Sequence, residues 1–250
     1  MIEKKQVFIP AMDRETTLHI HLPEHMEEGK RYPVLYMFDG HNLFKNEDAT
    51  YGKSWGLEEF LNEKGPELIL VGVECDHRGD NRMQEYTPYA LESTFFGATE
   101  GKGAAFMDWL VGELKPQIDA DYPTLTDRDN TFIAGSSMGG LMAFYALLHH
   151  NDTFSGAGCL SPTIFIAIPQ LREEIHDLNP NSRVYFSYGR RETHDRSRRN
   201  MIATVVFDFE ERLKQAGVKT RHNFTDGAHN ESSWEKENPA WIPFVTEIRA

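Results

Sequence analysis

The fold of this chain is decided by residues 130–140, which read NTFIAGSSMGG. Residues 130–134 form a run typical of a strand that is buried on both faces of a sheet. Residues 141–148, which follow the glycines, are apolar nearly all round, as expected for a helix packed against that sheet. Between strand and helix, residues 135–139 match the pattern G-x-S-x-G. The stretch therefore predicts a strand, a very tight turn and a buried helix.

Ser137 stands at the centre of the turn. In such a turn the residues two before and two after the serine come too close together to carry side chains, and Gly135 and Gly139 meet that requirement. The turn strains the serine backbone and lifts the hydroxyl out of the sheet. Ser137 is therefore the predicted nucleophile, whereas Ser136 lacks this spacing and is predicted to be structural.

Strands and helices alternate along the rest of the chain. Further runs typical of strands cover residues 33–38, 68–73, 154–160, 183–188 and 218–224, the last of them more polar. Helical periodicity covers residues 103–119, 198–216 and 238–248, and Pro116 is expected to kink or end the first of these helices. Residues 6–10 and 16–22 alternate in polarity and predict an N-terminal antiparallel hairpin.

This alternation predicts a single α/β domain over residues 1–250, with a mostly parallel central sheet and helices on both faces. In such sheets ligands bind beyond the carboxyl ends of the strands, so the chemistry is expected there. The G-x-S-x-G turn makes the α/β-hydrolase fold the specific prediction.

Composition limits the classes of partner. The net charge of −13 argues against nucleic acid or an anionic membrane surface. No stretch approaches the roughly 18 apolar residues of a membrane span, and no apolar signal region is recognisable, so a cytoplasmic location is expected. Cys75 and Cys159 lie in apolar stretches without a metal-binding spacing and are expected to be buried thiols.

A serine hydroxyl is a weak nucleophile until a neighbouring imidazole takes its proton. In this fold the triad runs serine, acid, histidine along the chain, so the base should follow the last strand. Only His229 lies in a loop at that place, and the small residues Gly227 and Ala228 leave room for its ring. His222 lies within the strand itself. His229 is therefore the predicted base.

The acid should follow the preceding strand, in the loop that begins at Gly189. Glu192 is nearer the strand end, and its longer side chain can reach the His229 ring, so it is the preferred candidate. Asp195 is the alternative, one helical turn further on. Asp226 is a third carboxylate, but it is too close in sequence to His229 for the usual geometry. The acid would orient the imidazole and stabilise its charged form.

Two backbone N–H groups should form the oxyanion hole. One is the N–H of Met138, the residue after the nucleophile, and the other is expected from the loop after residues 33–38. Gly40 lets that loop turn back toward the site and offers the N–H of His41 or, as the lesser alternative, of Asn42.

Asn42 and Trp55 are the candidate substrate-binding residues. Trp55 could stack on a substrate or serve only in packing. Asp76 and His77 resemble metal ligands, but the sequence holds no second cluster of carboxylates and histidines at ligand spacing. No metal site is therefore predicted.

These residues resemble the α/β-hydrolase family known as "putative esterase", which includes esterase D, antigen 85, enterochelin esterases and feruloyl esterase domains. The similarity covers residues 31–44, 85–88, 127–141, 154–157 and 161–162, in the family's order. The resemblance implies a triad of serine, carboxylate and histidine and no cofactor. It implies roles for Ser137, Met138, His41 and His229, and it leaves the acid hardest to align.

The expected function is hydrolysis of small acyl esters through an acyl-enzyme intermediate. The family spans S-formylglutathione, siderophore, acylated-sugar and aryl esters, so the acyl group stays open. A thioesterase or acyltransferase acting on S-acyl glutathione or acyl-CoA would use the same triad. A non-catalytic binding module is the third alternative. The expected partner is a small-molecule ester, and homo-oligomer formation is left open.

Overall fold

A computed structural model describes residues 1–93 and 97–247. Its strands are β1 (Ile2–Ile9), β2 (Arg14–His21), β3 (Val34–Phe38), β4 (Ile69–Val73), β5 (Leu91–Ser93), β6 (Gly97–Thr99), β7 (Thr131–Ser136), β8 (Gly156–Leu160), β9 (Arg183–Gly189) and β10 (Lys219–Thr225). Within the described residues, eight strands form one sheet in the order β1-β2-β4-β3-β7-β8-β9-β10, and β5 and β6 pair separately.

The sheet confirms the predicted mixture of directions. β1 and β2 form an antiparallel hairpin, and β2 also runs antiparallel to β4. From β4 to β10 every neighbouring pair is parallel. The hairpin is longer than its alternation in polarity predicts, because β1 is an edge strand and carries charged side chains such as Lys4 into solvent.

The helices are α1 (Leu57–Glu63), α2 (Asn81–Glu85), α3 (Gly103–Trp109), α4 (Lys115–Asp121), α5 (Met138–His149), α6 (Ile168–Glu173), α7 (Arg196–Gln215), α8 (Glu231–Glu235) and α9 (Asn238–Val245). The helix predicted over residues 103–119 is interrupted by a π-helical turn at Leu110–Leu114. Pro116 is the second residue of α4 and directly follows this π-helical turn, so the helical run departs from regular α-helical bonding at the proline instead of ending there. The last predicted helix ends at Val245, and its expected final residue, Ile248, lies outside the described residues.

The core lies on both faces of the sheet, as predicted. Side chains of β3 show the division, since Val34, Tyr36 and Phe38 point to one face and Leu35 and Met37 to the other. Helices α3 to α7 cover the first face, and α1, α8 and α9 cover the second.

The two cysteines are buried free thiols, as expected. Among the described residues no helix is long and apolar enough to cross a membrane. The carboxyl ends of β3, β4, β7, β9 and β10 meet at one edge of the sheet, and the predicted site residues follow those strands.

Candidate active site

Ser137 occupies the strained corner that the sequence predicts. It lies between β7 and α5 with φ 56° and ψ −119°. Residues other than glycine rarely adopt such a positive φ. A Cβ on Gly135 would lie 2.7 Å from the carbonyl carbon of Gly139, which explains the glycine spacing. The Ser137 N–H donates to the Leu160 carbonyl at 2.9 Å, and the Thr163 N–H donates to the Ser137 carbonyl at 3.1 Å. The surrounding backbone therefore holds the strained conformation.

The predicted oxyanion donors lie at the starts of two helical turns. Met138 is the first residue of α5, so its N–H has no partner within that helix. His41 lies in the 3-10 turn Gly40–Asn42, which Asp39 introduces with φ 59°. This turn follows β3, and β3 is the parallel neighbour of β7. Both N–H groups therefore belong to the edge of the sheet that carries Ser137.

His229 contacts the carboxylate that the sequence favours. Its Nδ1 lies 2.9 Å from Oε2 of Glu192, and this contact leaves Nε2 available to a hydroxyl. His229 and Ser137 line the same cavity. In the described part of the chain no hydrogen bond joins these two side chains. Catalytic hydrogen bonds are often long or poorly aligned until substrate binds.

The loops that carry Glu192 and His229 are packed backbone to backbone. The Arg190 N–H donates to the Thr225 carbonyl at 2.8 Å, and the Arg191 N–H donates to the Gly227 carbonyl at 2.9 Å. A Cβ on Gly189 would lie 2.3 Å from the Gly227 oxygen, so only glycine permits this approach. The approach brings the two loops together at the ends of β9 and β10.

Glu192 is held by groups that the sequence analysis did not identify. Its Oε1 accepts hydrogen bonds from Ser161 Oγ at 2.7 Å and from the Gly189 N–H at 2.5 Å. Trp234 Nε1 in turn donates to Ser161 Oγ at 2.9 Å. Ser161 is buried and has φ 47°, a second strained serine at a strand end. Its place directly after β8 is the signal that could have revealed it.

The other candidates for acid and base are engaged elsewhere. Asp195 caps α7 by accepting a bond from the Ser197 N–H at 2.8 Å. The Asp226 side chain is 88% exposed and lies 3.5 Å from Arg190. His222 Nδ1 lies 2.9 Å from Oε2 of Glu210 in α7. None of the three contacts His229.

The cavity at Ser137 has a volume of about 640 Å³. Its surface is about equally polar and apolar, and its lining consists of Asp39, His41, Asn42, Thr50, Tyr51, Cys75, Asp76, His77, Gly79, Arg82, Ser136, Ser137, His229, Asn230, Glu231 and Trp234. Asn42 belongs to the lining, as a substrate-binding residue must. Its Oδ1, however, accepts a bond from the Thr50 N–H at 2.9 Å and so also supports the loop.

Trp55 requires a correction. It is 2% exposed and lies outside the cavity lining. Its ring stacks on Trp234 at 5.3 Å and meets the edge of Trp241 at 6.4 Å. A side chain this deeply buried presents almost no surface to a substrate. Its role in the structure is packing.

Charged groups dominate one wall of the cavity. Arg82 donates two bonds of 2.7 Å to the buried Asp39 carboxylate. Burial alone would raise the pKa of Asp39, but the guanidinium outweighs burial and holds that pKa below its usual range. Burial raises the pKa of Glu231 and lowers that of His41. The sequence assigns no role to Arg82 or Glu231, because nothing in it indicates the pairing of Arg82 with Asp39 or the burial of Glu231.

The fold and the site together define the class of protein. It is an α/β-hydrolase with a serine on a strained elbow and a histidine–carboxylate pair at the same edge of the sheet. The chain belongs to the family described as "Putative esterase", whose model matches residues 9–240. The protein is accordingly an esterase.

Relatives and solved structures match this chain over most of its length. YbbA of Bacillus subtilis (strain 168) is 26% identical over 215 residues, which cover 83% of this chain and 80% of YbbA. The BES protein from Bacillus cereus superposes with a TM-score of 0.76 at 21% identity, covering 99% and 95% of the two chains. An S-formylglutathione hydrolase (FrmB) from Staphylococcus aureus superposes with a TM-score of 0.67 at 17% identity, covering 98% of each chain. At these identities the two superpositions establish the shared fold.

Proposed function

We propose that the protein is a serine carboxylic-ester hydrolase in which Ser137, His229 and Glu192 form the catalytic triad. The observation that carries the proposal is the 2.9 Å contact between Glu192 Oε2 and His229 Nδ1 beside the cavity that Ser137 lines. The contact engages Nδ1 of the ring and leaves Nε2 to act as the general base toward Ser137. The whole chain would act as one α/β-hydrolase domain.

The first half of the reaction forms an acyl-enzyme. His229 Nε2 takes the proton of Ser137 as its Oγ attacks the ester carbonyl carbon. The N–H groups of Met138 and His41 hold the negative charge that develops on the carbonyl oxygen. His229 then protonates the departing alcohol, and the bond from the carbonyl carbon to the alcohol oxygen breaks.

The second half repeats these steps with water. His229 takes a proton from water as the water attacks the acyl carbon on Ser137. The tetrahedral intermediate collapses, and the serine leaves with the proton from His229. Throughout, the negative charge of the Glu192 carboxylate stabilises the imidazolium. Hydrogen bonds from Ser161 and Gly189 hold this carboxylate in position.

The cavity favours small oxygen esters over thioesters of acidic carriers. A volume of about 640 Å³ suits a small molecule. Its lining includes Asp39, Asp76 and Glu231, and the guanidinium of Arg82 is already paired with Asp39. Asp76 is likewise paired with Arg78, so among these three carboxylates it is Glu231 that would repel the negative charges of glutathione or coenzyme A. We therefore place S-acyl glutathione and acyl-CoA second to esters of uncharged alcohols.

The test is hydrolysis of p-nitrophenyl acetate and butyrate by purified protein, compared with acyl-CoA and S-acyl glutathione. Ser137→Ala should lose on the order of 10⁶-fold in turnover, as expected when a triad nucleophile is removed. Ser136→Ala is the matched control, because it removes the neighbouring hydroxyl and should keep most activity. Wild-type turnover by Ser137→Ala would overturn the proposal. Faster hydrolysis of the thioesters than of the p-nitrophenyl esters would instead identify a thioesterase.

A further inference from the structure

Three side chains with metal-binding atoms converge on the wall of the active-site cavity. His41 follows β3, whereas Cys75 and His77 follow β4, and these strands are parallel neighbours whose carboxyl ends meet. One ligand-capable atom of each residue lies within 4.8 Å of those of the other two. Over residues 1–93 and 97–247, no other group of histidine, cysteine or carboxylate side chains meets this criterion.

The hydrogen bonds of the two histidines leave the same ring nitrogen available. His77 Nε2 lies 2.9 Å from Oε1 of Glu74, and His41 Nε2 lies 2.9 Å from Oγ1 of Thr50. In each ring this leaves Nδ1. Metal-bound histidines show this pattern, in which the second nitrogen is held by a carboxylate or another oxygen that orients the ring.

The ring of His41 carries a buried nitrogen that has no hydrogen-bond partner. Its side chain is 5% exposed, and its Nδ1 is buried without a hydrogen-bond partner. Buried polar atoms are nearly always satisfied in folded proteins, and this nitrogen can bind a metal ion without giving up a hydrogen bond within the protein. The His41 and His77 rings meet edge to face with centroids 4.5 Å apart, so the two imidazoles are direct neighbours.

We propose that His41, Cys75 and His77 bind a divalent transition-metal ion, with Zn²⁺ as the favoured ion. One thiolate and two imidazoles suit Zn²⁺ or Co²⁺, and they leave the fourth position of a tetrahedral site to water. Ligand atoms around Zn²⁺ lie about 3.5 Å apart, so the cluster would contract by about an ångström. The half-exposed His77 can make that movement. Binding breaks the S–H bond of Cys75, forms a bond from sulfur to metal and releases the proton to solvent.

The metal would lie in the cavity that substrate must enter. His41, Cys75 and His77 line this cavity together with Ser137 and His229. A metal ion with its bound water would occupy part of the cavity that Ser137 lines and hold the His41 loop in one position. Bound Zn²⁺ therefore inhibits ester hydrolysis. The inhibition rests on the proposed function, whereas metal binding does not.

The binding test titrates chelator-treated protein with Co²⁺ and follows the visible bands of tetrahedral cobalt and the thiolate charge-transfer band in the near ultraviolet. Both should appear at one ion per chain and disappear when Zn²⁺ displaces the cobalt. His77→Ala should weaken binding at least about 10-fold, and Cys75→Ser should remove the charge-transfer band. His176→Ala is the matched control, because its side chain is 71% exposed elsewhere on the surface and binding should not change.

Glu74→Gln separates a built site from chance contact. It leaves all three ligands in place and removes the carboxylate that orients His77, so affinity should fall by about 10-fold to 100-fold. Absence of the charge-transfer band in the wild-type protein would overturn the metal site. Equal affinity of the wild type and His77→Ala would overturn it as well.

The activity test adds one equivalent of Zn²⁺ to wild type, His77→Ala and His176→Ala during p-nitrophenyl butyrate hydrolysis. Wild type and His176→Ala should lose activity and regain it with chelator, whereas His77→Ala should keep whatever activity it has. Unchanged wild-type hydrolysis with metal bound would refute the inhibition alone. A protein that binds cobalt through Cys75 but never hydrolyses esters would refute the proposed function and leave the metal site standing.

Discussion

Replacing Glu192 by glutamine changes one atom at the centre of the proposed triad. Oε1 accepts bonds from Ser161 Oγ and from the Gly189 N–H, so the amide oxygen of glutamine must take that place. The amide NH₂ then faces His229 Nδ1 at the position where Oε2 lies 2.9 Å away. The ring must offer a lone pair at Nδ1 and carry its proton on Nε2. In that tautomer it cannot accept the proton of Ser137.

The size of the effect follows from this tautomer change. The equivalent exchange of carboxylate for amide in a serine triad lowers turnover by about 10⁴-fold. This loss corresponds to about 5 kcal/mol in the activation barrier. Stability should change little, because the amide oxygen keeps both contacts of Oε1 and the side chain keeps its volume.

The assay is steady-state hydrolysis of p-nitrophenyl butyrate, with thermal unfolding measured on the same samples. Asp195→Asn and Asp226→Asn are the matched controls, since each makes the same exchange at a carboxylate that does not contact His229. Asparagine also caps helices well, so α7 should be retained in Asp195→Asn. If Glu192→Gln keeps turnover within about 10-fold of wild type while either control loses it, the triad acid is wrongly assigned.

Three further predictions concern the surroundings of the triad. Ser161→Ala should lower turnover by about 10-fold to 100-fold, because one hydrogen bond to a carboxylate is worth about 1.5–3 kcal/mol. An unchanged kcat would show that the hydrogen bond from Ser161 to Glu192 does not contribute to catalysis. Arg82→Met should reduce the free energy of unfolding at neutral pH by about 1–3 kcal/mol, a value discounted because the guanidinium is partly exposed. Since the pKa of Asp39 is lowered in the folded state, the pair stabilises fully above the unfolded pKa of about 4, and this contribution is lost as pH falls below it. Denaturant titrations should therefore show the difference between wild type and Arg82→Met shrinking below pH of about 4, and a difference that widens there would contradict the account. Trp55→Ala should cost about 3–5 kcal/mol of stability by opening a cavity in the core; a variant of wild-type stability with a raised KM would restore the role in substrate binding.

Much of the site could be predicted because its decisive feature is local. The elbow at Ser137 is determined by sterics within five residues, and the glycine spacing records that constraint in the sequence. His229 follows from the order of the triad along the chain. Glu192 could be preferred over Asp195 because reach from the strand end depends on side-chain length.

The remaining features depend on contacts between distant segments. Trp234 and Ser161 are 73 positions apart, and nothing in either segment indicates the hydrogen bond between them. Trp55 is buried by two tryptophans from the far end of the chain, so its local sequence could not distinguish packing from substrate contact. His41 meets His77 because β4 pairs with β3, and that order of strands is a property of the assembled sheet.

The central claim is that His229 activates the hydroxyl of Ser137. The most direct measurement is labelling with a fluorophosphonate, followed by mass spectrometry of the peptides. The account predicts one phosphonate adduct on Ser137 in the wild-type protein and loss of labelling in His229→Ala. Labelling of another residue, or equal labelling of Ser137 without His229, would contradict it.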